Sequence, residues 1–211
     1  MNCCELEPKA FFQYFRTISK IPRNSGEEEE ISDYLYRFAK DRRLTCYRDK
    51  NNNVLIRKPA TEGYEHCKTV LFQGHTDMVC EKEPDSSHDF KTMPIEIIQE
   101  GSILRAKGTT LGADDGVAVA YMLMLLDSAD IPHPPLECLF TTEEETGLYG
   151  ASCFDYTKIR AAYMINLDGE KEGQATVSCA GGVRCYYEKK LRISKLKNEK
   201  TYQIAVSGLC G

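Results

Sequence analysis

The sequence predicts an α/β protein, and three observations carry that expectation. Short apolar runs of strand length, Lys68–Gln73, Leu136–Thr141 and Ala162–Leu167, recur along the 211 residues. Helical patterns alternate with them. Finally, the acidic clusters sit where a strand should end or a helix begin, which is where function gathers in α/β folds.

Taken in order, Pro8 suits the first turn of a helix over Lys9–Lys20, whose Phe12, Phe15 and Ile18 recur at helical spacing. A loop at Pro22–Gly26 leads to a second amphipathic helix over Glu27–Phe38, with Ile31, Tyr34, Leu35 and Phe38 on one face and glutamates in its first turn. Leu44–Arg48 and Asn53–Arg57 read as strands around a polar turn. Lys68–Gln73 is expected to be a buried strand ending at His75-Thr76-Asp77. Ile95–Ile98 and Ile103–Ala106 form a hairpin about Gln99–Ser102, and Gly116–Leu126, apolar nearly all round, is a buried helix. Leu136–Thr141 and Ala162–Leu167 are further buried strands. Beyond Gly181 the pattern changes, and Tyr186–Ile193 and Tyr202–Val206 suggest a different, partly exposed sheet.

Composition narrows the function classes. The formal net charge is -5 and no basic stripe runs along the chain, which argues against nucleic acid or anionic lipid as partner. No stretch approaches the roughly 20 apolar residues of a membrane span, and the first residues do not read as a secretion signal. The 10 cysteines include no C-x-x-C spacing, so reduced thiols in a cytoplasmic protein are expected. A small molecule or peptide is the expected partner.

Four polar islands carry the chemistry: His75 with Asp77, Asp114 with Asp115, Glu143 to Glu145, and Asp168. Each alone has a plain structural meaning. His75 could be a satisfied strand-end histidine and Asp77 a turn residue, Asp114-Asp115 a helix N-cap pair, Glu143–Glu145 a solvated run, and Asp168 before Gly169 a turn. Chance does not predict that all four fall at strand ends or helix starts of one alternating fold. Carboxylates gathered beside a histidine at a core edge suggest a cation, because burying charge without a partner is costly. One histidine with three or four carboxylates suits Zn²⁺, Mn²⁺ or Co²⁺, and so oxygen-rich a set suits two ions sharing a carboxylate.

The segments Leu71–Val79 (LFQGHTDMV), Gly108–Gly116 (GTTLGADDG), Thr142–Gly147 (TEEETG) and Ile165–Asp168 (INLD) resemble the aminoacyl-histidine dipeptidases (Xaa-His dipeptidases) of the M20 metallopeptidases. The resemblance implies a zinc-peptidase catalytic domain, a mixed sheet flanked by helices, over residues 1–182, and the first strands of an inserted lid or dimerisation domain over 183–211. It implies two divalent metal ions, zinc foremost. His75 and Asp168 would ligate one ion, Glu145 the other, and Asp114 would bridge them. Asp77 would orient His75, and Glu144 would be the general base that takes a proton from the attacking water. Glu143 falls outside the motif and is expected to be structural.

The implied activity is hydrolysis of dipeptides, Xaa-His among them, by a cytoplasmic enzyme that as a full-length protein could be a homodimer. Relatives run to about twice this length or more, with a further substrate-holding histidine and a late histidine on the second ion. His66, His88 and His133 do not match that role. The 211 residues are therefore expected to bind the second ion weakly and to have little or no activity alone. Two alternatives stand beside this reading: a non-catalytic metal-binding or interaction module, and another M20 amidohydrolase such as a tripeptidase or deacylase.

Overall fold

The computed structural model describes residues 6–169, 171, 173–178, 186 and 188–190. The chain divides into two compact units, Met1–Ala175 and Thr176–Gly211. All described helices and strands belong to the first. Half of the strand expected over 186–193, and the whole of the one over 202–206, falls outside the described residues.

Helix α1 (Lys9–Ile18) buries Phe11, Phe15 and Ile18, and the expected Phe12 packs partly buried against the same core. Helix α2 (Glu29–Asp41) buries Ile31, Leu35 and Phe38, and its glutamates favour the N-terminal end of the helix dipole. Strands β1 (Thr45–Arg48), β2 (Val54–Lys58), β3 (Val70–His75), β6 (Leu136–Thr141) and β7 (Tyr163–Asn166) make one sheet in the order β1-β2-β6-β3-β7. β1, β2 and β6 pair antiparallel in succession, whereas β3 runs parallel to both β6 and β7, so the sheet is mixed. Strands β4 (Ile97–Glu100) and β5 (Ile103–Ala106) form the separate hairpin.

Helix α3 (Ala113–Asp127) joins α1 and α2 on one face of the sheet, and together they enclose the main core around Phe15, Leu35, Ile56, Met122 and Phe140. Its approach to β3 depends on Gly74, where a Cβ would stand 2.5 Å from Asp115 Oδ2 and 2.6 Å from Ala118 Cβ. Lys58 Nζ, reaching from β2, donates to the carbonyls of Leu125 and Ser128 at the far end of α3, where a cation complements the helix dipole. On the opposite face Leu55, Leu71 and Leu139 pack on Phe154, carried by a short helix, α4 (Tyr149–Cys153).

One expectation needs correcting. The run over Ala162–Leu167 is a strand, but not a buried one. β7 lies at the sheet edge, with Tyr163 58%, Met164 59% and Ile165 45% exposed. Among the described strands it pairs on one side only, and apolar composition alone does not distinguish an edge from a centre.

Candidate metal centre

The parallel strands β6, β3 and β7 end side by side, and each hands its next residues to the same spot. β3 ends on His75, which is 1% exposed, and the turn after it carries Asp77 at 0%. The chain after β6 turns sharply at Glu143, with φ of 50°, and presents Glu144 and Glu145. Beyond β7 comes Asp168. Across from them, the start of α3 supplies Asp114.

Asp77 organises two of these islands. Its Oδ1 lies 3.2 Å from His75 Nδ1 and accepts from the Glu144 N–H at 3.0 Å. Its Oδ2 accepts from Ser25 Oγ at 2.8 Å and from the Glu145 N–H at 3.2 Å. One buried carboxylate thus orients the imidazole and anchors the backbone of both glutamates. Burial works to raise the Asp77 pKa, but these hydrogen bonds outweigh it and hold the carboxyl below its usual range. With Nδ1 engaged, His75 directs Nε2 outward, 2.9 Å from Asp114 Oδ1 and 3.9 Å from Glu144 Oε2. Burial opposes protonation of His75, yet Asp77 foremost, then Asp115 and Asp114, raise it to about 9.

The two adjacent aspartates do different work. Asp114 has a 70% exposed side chain facing His75. Asp115 is buried, accepting from the His75 N–H at 3.2 Å and the Ala118 N–H at 3.3 Å. Asp115 therefore behaves as the helix-start acceptor and Asp114 as the ligand candidate, so both meanings open in the sequence are realised, one per residue. The peptide between them is cis. Burial, joined by the charge of Asp168, raises Asp115 to about 7. Glu144 and Glu145 are also raised, chiefly by burial and then by neighbouring carboxylates.

Two sets of ligand atoms, His75-Asp114-Asp168 and His75-Glu144-Glu145, each lie within 4.8 Å of one another. A single ion bonded at about 2.0–2.2 Å closes a spread of that order. The donor set fits a divalent metal. All six residues expected from the sequence meet here. The other described histidines do not join them.

Several supporting residues escaped the sequence reading. Arg23, 3% exposed, donates to the carbonyls of Thr76, Asp77 and Gly112, linking the turn after β3 to the start of α3. Burial lowers its pKa to about 10. Glu28 Oε1 accepts from the N–H of Gly26 and of Glu143. Asn53, fully buried, accepts from the Thr142 N–H and donates to the Gly150 carbonyl, holding both ends of the glutamate loop. Arg23 stood in the sequence only as part of the Pro22–Gly26 loop, and neither it nor Glu28 or Asn53 carried a signal of this role.

The family model described as Peptidase family M28 matches residues 53–205. The cytosol non-specific dipeptidase of Escherichia coli (strain K12) is 41% identical over 179 residues, covering 85% of this chain and 37% of the relative. The solved aminoacylhistidine dipeptidase of Vibrio alginolyticus matches with TM-score 0.80 and 39% identity, over 82% of this chain and 35% of that one. Aminopeptidase PepT from Bacillus cereus ATCC 10987 matches with TM-score 0.65 and 26% identity, over 77% and 44%. The chain spans less than half the length of each of these three relatives. No helix among the described residues is long and apolar enough to cross a membrane. On its motifs, its mixed α/β sheet and these matches, the chain belongs to the peptidases that the family M28 model describes and groups with the aminoacyl-histidine dipeptidases, the relatives expected from the sequence.

Proposed function

We propose that this chain is the metal-binding catalytic part, residues 1–182, of a cytoplasmic dipeptidase, with residues 183–211 opening its lid domain. The substrates are dipeptides of broad composition, Xaa-His included. The observation that carries the proposal is the convergence of four chain segments on His75 in two sets, His75-Asp114-Asp168 and His75-Glu144-Glu145, the ligand atoms of each set lying within 4.8 Å of one another.

His75, Asp114 and Asp168 would hold one ion, and Asp114 with Glu145 a second, zinc foremost, with manganese or cobalt as substitutes. Bound divalent metal supplies Lewis acidity, polarising the scissile carbonyl and acidifying water near neutral pH. Glu144, raised by burial and by Asp168, takes the proton from the attacking water and returns it to the leaving amine. Its backbone N–H is tethered to Asp77 Oδ1, so the base is fixed relative to the imidazole that Asp77 orients. Glu145, next in sequence, is anchored by its backbone N–H to the other Asp77 oxygen after the turn at Glu143, and would be a ligand of the second ion.

The test is Glu144→Ala in the full-length protein. Turnover of Xaa-His dipeptides falls by 10²-fold or more, the order lost with a general base, while bound metal per chain stays as in wild type. Unchanged turnover removes Glu144 from the mechanism. Metal retained without turnover in the wild-type full-length protein would favour a non-catalytic metal-binding module.

A further inference from the structure

A single row of side-chain hydrogen bonds runs across the three parallel strands just behind the ligand candidates. The Asp168 N–H donates to Asn166 Oδ1 at 3.2 Å, and Asn166 Nδ2 donates to Gln73 Oε1 at 2.7 Å. Gln73 Nε2 donates to Thr141 Oγ1 at 3.1 Å, and that hydroxyl lies 3.4 Å from the Gly74 carbonyl, to which it donates. Every donor and acceptor in the row points the same way. Asn166 and Gln73 are also direct partners in the register of β7 and β3.

The positions matter more than the bonds taken singly. Gln73 stands two residues before His75, Asn166 two before Asp168, and Thr141 three before Glu144. Among the described strands β7 pairs with β3 alone, and its side chains are exposed. In the Asn166 amide, the oxygen holds the turn at Asp168 and the nitrogen holds that turn to β3.

We propose that Asn166, Gln73 and Thr141 form a positioning row that sets the reach of Asp168 to His75, and relays the same register to the strand preceding Glu144. None of the three belongs to the two sets of ligand candidates. The inference rests on the metal-centre reading above and goes beyond it by assigning these residues to metal affinity and geometry.

Gln73→Met keeps length and removes both amide partners. Gln73→Glu still accepts from Asn166 Nδ2 and, by rotation of the Thr141 hydroxyl, from Thr141. The experiment titrates Co²⁺ into each chelator-stripped chain, reading affinity by dye competition and ligand geometry by the visible absorption of bound Co²⁺, alongside thermal unfolding of the metal-free form. Gln73→Met is expected to lose about 10-fold or more in affinity, in the range for residues that orient ligands, with an altered spectrum and an unfolding midpoint near wild type. Gln73→Glu restores both readouts. Wild-type affinity and spectrum in Gln73→Met overturn the row, as does a loss that tracks the unfolding midpoint and is not restored by Gln73→Glu. His75→Ala and Asp168→Ala separate the two readings. If they abolish Co²⁺ binding while Gln73→Met does not alter it, only the row fails; if they bind Co²⁺ as wild type, the metal centre itself is wrong, and the row with it.

Discussion

Replacing Asp77 by asparagine exchanges one oxygen for an NH₂ in a carboxylate that is fully buried and whose two oxygens are both committed. Oδ1 faces the Glu144 N–H and Oδ2 the Glu145 N–H, and a backbone N–H cannot turn round to accept. Whichever way the new amide is flipped, its NH₂ meets one of these donors. One buried N–H is therefore orphaned, at about 1–3 kcal/mol, and the remaining bonds lose their charge assistance, for a total of about 2–4 kcal/mol. In a chain of this size that lowers the unfolding midpoint by roughly 5–15 °C. Thermal unfolding of the metal-free protein followed by circular dichroism measures it, with Asp85→Asn on the exposed loop after β3 as control. Metal affinity should fall about 10–100-fold as the imidazole loses its orienting partner. Asp77→Asn unfolding with wild-type stability and binding metal with wild-type affinity would refute the reasoning.

Two further outcomes follow from packing and charge. Gly74→Ala forces a methyl against Ala118 Cβ and Asp115 Oδ2, which costs about 1–3 kcal/mol by overpacking, read as a lowered urea midpoint; an unchanged midpoint would mean α3 can retreat from β3 freely. Asp127 accepts from Arg42 and Tyr14, and the Arg42 hydrogen bond foremost lowers its pKa. A carboxyl lowered on folding stabilises above its unfolded pKa of about 3.9 and ceases to do so as pH falls through the folded value. The stability gap between wild type and Asp127→Asn should accordingly be widest above about pH 4 and close in more acid solution, by denaturation at a series of pH values; a gap independent of pH would contradict it.

Most elements were legible because their patterns are local. Helices α1, α2 and α3 announce themselves by apolar spacing or by an unbroken apolar stretch, and β3 and β6 by short runs bounded by charge. α4 was not foreseen, since five residues hold too little periodicity to recognise. The exposure of β7 was missed for a different reason: burial belongs to neighbours in space, and Tyr163, Met164 and Ile165 say nothing about which side of the sheet lacks one.

The candidate site divides in the same way. The four polar islands could be named from the sequence because their residue types stood at predictable strand ends, and the choice of Asp114 over Asp115 and of Glu144 and Glu145 over Glu143 came from the resemblance to aminoacyl-histidine dipeptidases. What they do to one another was decided only by the fold. Asp77 hydrogen-bonds two glutamates 67 and 68 residues away, and Arg23 bridges carbonyls 53 and 89 residues along the chain. Asp114 and Asp115 part company because one backbone geometry sends one carboxylate toward His75 and leaves the other beneath it. The sequence by itself determined which atoms are available for the chemistry; the parallel alignment of β6, β3 and β7, a product of long-range packing, decided that they meet.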